Sequence, residues 1–218
     1  MPITAVVFDV GETLVDETRH WSLWAQWMDV PAFTLFAALG AVIERGLHHR
    51  AVFDLVRPGF DPDAEMARQV AGGYRHSFEP GDLYPDALPC LKALKAAGYR
   101  IGLAGNQPEA AEAALEAANL PVDFIASSAR WGVEKPSQAF FDRVAEAAGA
   151  EPAQIAYVGD RIDNDIAPAL AAGMAAVFIR RGPWGHIKPM PAALAGEPRA
   201  GAIETLGELP GVLAALDA

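Results

Sequence analysis

From Tyr84 to Ile179 the chain repeats one texture, a short apolar run followed by a stretch with helical spacing. Leu88, Leu91 and Leu94 fall on one helical face, Gly98 closes that helix, and Ile101 to Ala104 reads as a short buried strand. Pro108 to Ala118 is a helix rich in alanine and glutamate, and Val122 to Ala126 is the strand after it. Ser137 stands where it can cap a helix carrying Phe140, Phe141 and Val144, which Gly149 ends. Ile155 to Val158 is the next strand, a helix then runs to Ala172 with Gly173 beyond it, and Ala175 to Ile179 is the last clear strand. Short apolar strands alternating with helices predict an α/β fold, a Rossmann-like, doubly wound and mostly parallel sheet with helices on both faces.

The first strand of that sheet lies almost at the N-terminus. The apolar run from Ile3 to Phe8 ends abruptly in Asp9, with Gly11 and Thr13 close behind. Residues 15–83 differ from everything after them. They hold three of the five tryptophans, show long helical periodicity and contain little that reads as strand. Trp21, Trp24 and Met28 recur at helical spacing, Val42, Ile43 and Leu47 continue it, and Arg57 to Pro62 is a loop. The expected organisation is therefore a core of residues 1–14 and 84–218, interrupted by a helical insert at 15–83. The stretch from Gly182 to Ala200, rich in proline and glycine, is expected to be an irregular loop over the sheet edge.

Length and charge bound the function. A chain of 218 residues suits one core domain with a smaller insert. Its net charge is −11, and no basic cluster exceeds Arg180-Arg181, which argues against a nucleic-acid partner. No apolar run approaches the roughly 18 residues that span a bilayer. Met1-Pro2-Ile3 runs straight into the first strand without a signal-like segment, so a cytoplasmic location is expected. The single cysteine, Cys90, excludes an internal disulfide and reads as core.

Three features carry chemistry. The first is Asp9 at a strand end. The second is Lys135 in Gly132-Val133-Glu134-Lys135-Pro136. The third is Gly159-Asp160 followed by Asp163 and Asp165, where another strand ends and a helix opens. Ligands of open α/β sheets bind outside the carboxyl ends of the strands. The pattern thus places carboxylates from two strand ends and one lysine at a common edge. Carboxylate oxygens suit a hard cation such as Mg²⁺ that completes its shell with phosphate, and the lysine offsets charge on the same anion.

On these residues the sequence resembles the haloacid dehalogenase-like (HAD) hydrolase superfamily along essentially its whole length. Asp9 with Thr13 matches the nucleophile motif, Lys135 the lysine motif, and Gly159-Asp160 with Asn164-Asp165 the acidic motif. The insert resembles the helical cap of subfamily I. The resemblance implies a Mg²⁺-dependent hydrolase of a small phosphorylated metabolite. Asp9 would be the nucleophile, Lys135 would contact both Asp9 and substrate, and Gly105 and Asn106 would bind phosphoryl oxygens. Asp9, the Gly11 carbonyl, Asp160 and Asp165 would hold the metal. Asp163 is expected to be a helix cap or a more distant support.

Two departures stand beside these matches. Family phosphatases usually carry a general acid/base aspartate where this chain has Gly11, and a hydroxyl residue where it has Gly105. Losing a general acid/base costs about 10²–10⁴-fold in rate. Losing a hydrogen bond to a charged group costs roughly 1.5–3 kcal/mol. Asn106 or Gln107 can donate in place of the hydroxyl, whereas Glu12, Arg19 and His20 are the candidate sources of a proton. A binding or regulatory protein with weakened turnover is the alternative these glycines suggest. A carbon–halogen hydrolase is disfavoured, because relatives of that kind do not need the metal-binding acids. The tryptophans of the insert read as packing before pocket, and His48-His49 as an exposed pair without a third metal ligand. Arg180 to Gly185 reads equally as a substrate contact or as a loop anchored by Trp184.

Overall fold

A computed structural model describes residues 1–75 and 78–217. The chain divides into two compact units, one of Met1–Asp16 with Phe78–Ala218 and one of Glu17–Ser77. The first unit is built on a six-stranded sheet in the order β3-β2-β1-β4-β5-β6. Its strands are β1 (Ala5–Phe8), β2 (Arg100–Gly105), β3 (Phe124–Ser127), β4 (Ile155–Gly159), β5 (Ala175–Ile179) and β6 (Ala200–Ile203). Every pairing is parallel.

β1 sits between β2 and β4, and all four of its residues are buried. That explains its unbroken apolar run, since a central parallel strand is covered on both faces. Alternation splits the side chains between two cores. Val6 and Phe8 join Leu91, Leu94, Leu103 and Leu213 on one face, where helices Ala87–Ala96 and Leu209–Leu216 pack. Ala5 and Val7 join Phe140, Phe141, Val144 and Tyr157 on the other, covered by helix Gln138–Ala148. Cys90 is buried in the first of these cores.

Three local readings in this unit need correction. The sheet has a sixth strand, Ala200–Ile203, reached from Gly182 through the short helices Gly182–Ile187 and Ala192–Ala195, where an irregular loop was expected. β6 is made of small residues apart from Ile203, so it carries none of the β-branched signal that marks a buried strand. The helix after β4 is not continuous. Ile162–Ile166 forms one widened π-type turn, with the Ile166 N–H donating to the Arg161 carbonyl, and Ala167–Ala171 follows as α-helix. Ser137 occupies the cap position of its helix, but its hydroxyl donates to the Glu134 carbonyl and leaves the helix N–H groups alone.

The second unit holds the helices Thr18–Trp27, Ala32–Glu44, Ala51–Val56 and Pro62–Ala71. Its tryptophans are packing residues. Trp21 and Trp24 are buried, with ring centroids 6.1 and 4.7 Å from that of Phe53. Leu47 lies beyond the end of the second helix and is exposed, so the helical spacing read there stops at Glu44. Asp61 caps the fourth helix through the N–H groups of Asp63 and Ala64, at 2.9 and 3.1 Å. His48 is exposed, and the His20 ring accepts a hydrogen bond from Trp24 Nε1 at 3.2 Å.

Candidate active site

Parallel register delivers the acids to one place. Phe8 is level with Leu103 on β2 and with Val158 on β4, so the next residues along the three strands are Asp9, Ala104 and Gly159. The Asp9 N–H donates to the Val158 carbonyl at 2.8 Å and extends the pairing by one residue. Asp160 follows one step later. The widened turn after it directs Asp165 inward, fully buried. A single turn of π type is a frequent mark of functional positions, because the helix spends regularity on aiming one side chain. Carboxylate oxygens of Asp9, Asp160 and Asp165 lie within 4.8 Å of one another. This is the point where the strand order reverses about β1, the usual ligand crevice of such sheets.

Lys135 reaches the same point. Its Nζ donates to Asp9 Oδ1 at 2.7 Å and to Asp165 Oδ1 at 2.6 Å. The ammonium lies 5.5 Å from the Tyr157 ring centroid and 5.9 Å from that of Phe140, so aromatic faces stand in for part of its lost hydration. Burial alone would push the ammonium toward neutrality, yet the charges of Asp165 and Asp9 hold it well above the usual lysine range. The acids show the opposite imbalance. Burial raises Asp165 to about 6 even though Lys135 opposes it, and the charge of Asp9 adds to the rise. Asp160 is raised well above the carboxylate range by burial, then by Asp165, Asp9 and Glu12.

Three acids therefore share one ammonium. Both oxygens of Asp165 have donors, Lys135 Nζ on one and the Arg161 N–H at 3.0 Å on the other. Asp160 differs, because its buried Oδ2 has no hydrogen-bond partner. Leaving a buried carboxylate unpaired costs several kcal/mol, so such a group is stable only with a proton or a cation. An all-oxygen donor set suits Mg²⁺, which binds few protein ligands and keeps water or phosphate in the rest of its shell.

Two glycines shape this pocket by close approach. A Cβ on Gly159 would lie 2.4 Å from Asp165 Oδ2, and one on Gly105 would lie 2.7 Å from Asp9 Oδ1. An added Cβ would force the Asp9 carboxylate to shift at Gly105 and the whole Asp165 side chain to shift at Gly159. Gly11, in the tight turn after β1, forms a bridge with Val15, while the Val10 carbonyl accepts from the N–H groups of Thr13, Leu14 and Val15. The carboxamide of Asn106 faces Lys135: the Lys135 N–H donates to Oδ1 at 2.8 Å, and Nδ2 donates to the Lys135 carbonyl at 2.9 Å. Asp163 pairs with Arg161 at 2.8 Å and is exposed.

A second buried group stands beside the site, and the way its members pair was not anticipated. Glu12 is a non-glycine residue at positive φ (53°), and its carboxylate accepts from the Tyr84 hydroxyl at 2.6 Å. Arg181 lies 4.1 Å from the Tyr84 ring centroid and donates to Asp86 Oδ2 at 2.5 Å and to the Thr13 carbonyl at 3.0 Å. Arg181 is thus engaged within the core unit, and Trp184 is buried in the short helix beyond it. The Arg180-Arg181 pair was the sequence signal, but its partners stand far away along the chain. Arg180 pairs with Glu204 at 2.8 Å.

The sheet thus carries a cluster of three acids and one lysine at the ends of β1 and β4. The chain belongs to the haloacid dehalogenase-like hydrolase family, whose model matches residues 3–173, a span that holds every acid and the lysine of the cluster. It is 32% identical over 211 residues to the glyceraldehyde 3-phosphate phosphatase of Methanopyrus kandleri, covering 86% of this chain and 88% of that one. It is 28% identical over 188 residues to a phosphoglycolate phosphatase of Nitrosospira multiformis, covering 79% and 81%. The magnesium-bound structure of YfnB from Bacillus subtilis has a TM-score of 0.70 at 18% identity, over 98% of this chain and 99% of that one. At that identity the likeness is one of fold.

Proposed function

We propose that this chain is a Mg²⁺-dependent phosphatase of a small phosphorylated metabolite, acting through an aspartyl-phosphate on Asp9. The observation that carries this reading is the buried cluster of Asp9, Asp160 and Asp165 with a single ammonium to share and Asp160 Oδ2 unpaired. The phosphatase names of its sequence relatives support it. Asp9, the Gly11 carbonyl, Asp160 and Asp165 (the last through water) would hold the cation. When bound, Mg²⁺ supplies positive charge to the phosphoryl oxygens and offsets the acids.

The remaining work falls to the chain. A carboxylate oxygen of Asp9 attacks phosphorus, and the ester P–O bond breaks with its electron pair on the departing oxygen. Water then attacks the phosphorus of the aspartyl-phosphate, releasing orthophosphate and restoring Asp9. Lys135 bridges Asp9 and the phosphoryl group, and the N–H groups of Gly105 and Asn106 face its oxygens. Gly11 carries no acid, so the departing oxygen takes its proton from water, and rate falls steeply as leaving-group pKa rises. The helical insert, residues 15–83, is read as the cap domain of the family.

The test is hydrolysis of aryl and alkyl phosphates with Mg²⁺ and with chelator. Metal-dependent turnover, faster on the aryl esters, is expected. Metal-independent turnover, or halide release from a 2-haloacid without phosphatase activity, would sink the reading.

A further inference from the structure

We propose that Asn106 is a positioning residue for Lys135, setting through the main chain where the ammonium stands between Asp9 and Asp165. Lys135 belongs to the segment between the helices Ser128–Trp131 and Gln138–Ala148, where no strand ladder or helical turn holds it. A lysine side chain has four flexible bonds, so an ammonium placed to within a few tenths of an ångström needs a fixed base. The structure provides that base from the end of β2. The Asn106 carboxamide grips Lys135 on both sides of its Cα, accepting from the N–H at 2.8 Å and donating to the carbonyl at 2.9 Å.

Two hydrogen bonds from one planar amide fix orientation as well as distance. They leave only one Nδ2 hydrogen and one Oδ1 lone pair for anything else. The preceding residue acts on the other partner of the ion pair, since Gly105 lets Asp9 Oδ1 approach its Cα. The end of β2 and the residue after it thereby locate both ends of the Lys135–Asp9 contact: Gly105 by absence of a side chain, Asn106 by a clamp.

The proposal rests on the phosphatase reading for its kinetic arm only. Asn106→Ala should lower kcat on an aryl phosphate about 10–100-fold, the range seen when a supporting hydrogen bond behind a functional group is lost, with KM changed less than about 3-fold. In a Lys135→Ala background the same substitution should cost nothing further, because the group it positions is gone. Equal losses in both backgrounds, or a loss that lies in KM, would mean that Asn106 contacts substrate directly and would overturn the proposal.

A spectroscopic arm needs no turnover. In protein labelled with ¹⁵N-lysine, the Lys135 ammonium protons should give a resonance protected from exchange, lost in Asn106→Ala at an unchanged unfolding midpoint. A retained resonance would overturn the proposal. If the alanine variant fails to fold, Asn106→Asp, which keeps the acceptor for the Lys135 N–H and loses the donor to its carbonyl, should show a partly protected resonance. Full protection there would count against the clamp. Failure of the wild type to hydrolyse any phosphate ester would refute the phosphatase reading while leaving the resonance to decide this one.

Discussion

Two buried cations stand in loops of the same sheet unit, and they are held in different ways. Arg181, two residues beyond β5, meets one carboxylate, one main-chain carbonyl and one aromatic face: Asp86, Thr13 and Tyr84. Asp86 Oδ2 also accepts the Leu206 N–H at 2.9 Å, so this pair ties four segments of the chain together. Lys135 is equally buried, but it faces a cluster of three acids. A cation matched to one anion is a staple. A cation outnumbered by buried anions marks a place built for something further, since such an excess of like charge is tolerated where function requires it.

The sharpest way to break the comparison is to remove each cation. Lys135→Ala should reduce phosphatase activity about 10²–10⁴-fold, the range for losing a positioned electrostatic group. Arg181→Ala should leave the activity of the folded protein within several-fold, and instead lower its stability by about 2–4 kcal/mol, because Asp86 would be left without its partner. Kinetics and thermal unfolding on the two variants check this. A stable, inactive Arg181 variant would erase the distinction.

The acids give the next test. Asp160→Asn removes the unpaired charge, so in chelator the variant should unfold at a higher temperature than wild type. Wild type should gain about 2.7 kcal/mol in Mg²⁺ at 100 times its dissociation constant, a gain the variant should lack. Calorimetry with and without Mg²⁺ reads both signs.

Gly105→Ser follows, with a smaller effect of unexpected direction. Restoring a hydroxyl where related phosphatases have one should lower activity by about 10-fold, equivalent to about 1.4 kcal/mol, because its Cβ meets Asp9 Oδ1. A gain in kcat would show that Asp9 moves aside freely.

These contrasts separate what could be read along the chain from what could not. β1, β2, β4 and β5 announced themselves because burial on both faces demands apolar runs, and the acids that end β1 and β4 stood out against those runs. β6 lies at the edge, is built of alanine and glycine before Ile203, and gave no such contrast. The residues that the structure brings together as Asp9, Lys135, Asp160 and Asp165 were each flagged by a strand end or by a Lys-Pro pair. The Arg181 staple was hidden, since its partner Asp86 stands 95 positions earlier and Tyr84 lies 72 positions from Glu12. The Asn106 clamp was hidden too, because a side chain that holds a main chain leaves no pattern in residue types.

The smallest effect concerns a matched pair of the staple kind. Burial alone would raise Asp123, but hydrogen bonds from Lys95 Nζ at 2.5 Å and the Ile101 N–H at 2.8 Å hold its carboxyl below the usual range. A depressed folded value stabilises above the unfolded value of about 3.9 and is lost as pH falls through the folded one. Asp123→Asn should therefore cost about 1 kcal/mol at neutral pH, the side chain being partly exposed, and nothing once wild-type Asp123 is itself protonated. Urea unfolding at several pH values tests this, and a pH-independent difference would contradict it.

The central claim is that the acid cluster exists so that Asp9 can carry a phosphoryl group. Rapid acid quench of the protein after mixing with an aryl phosphate and Mg²⁺, followed by peptide mass spectrometry, tests it most directly. The account predicts one phosphoryl group on the peptide holding Asp9, absent with chelator and absent in Asp9→Asn. Turnover with no adduct on Asp9, or full turnover by Asp9→Asn, would contradict it.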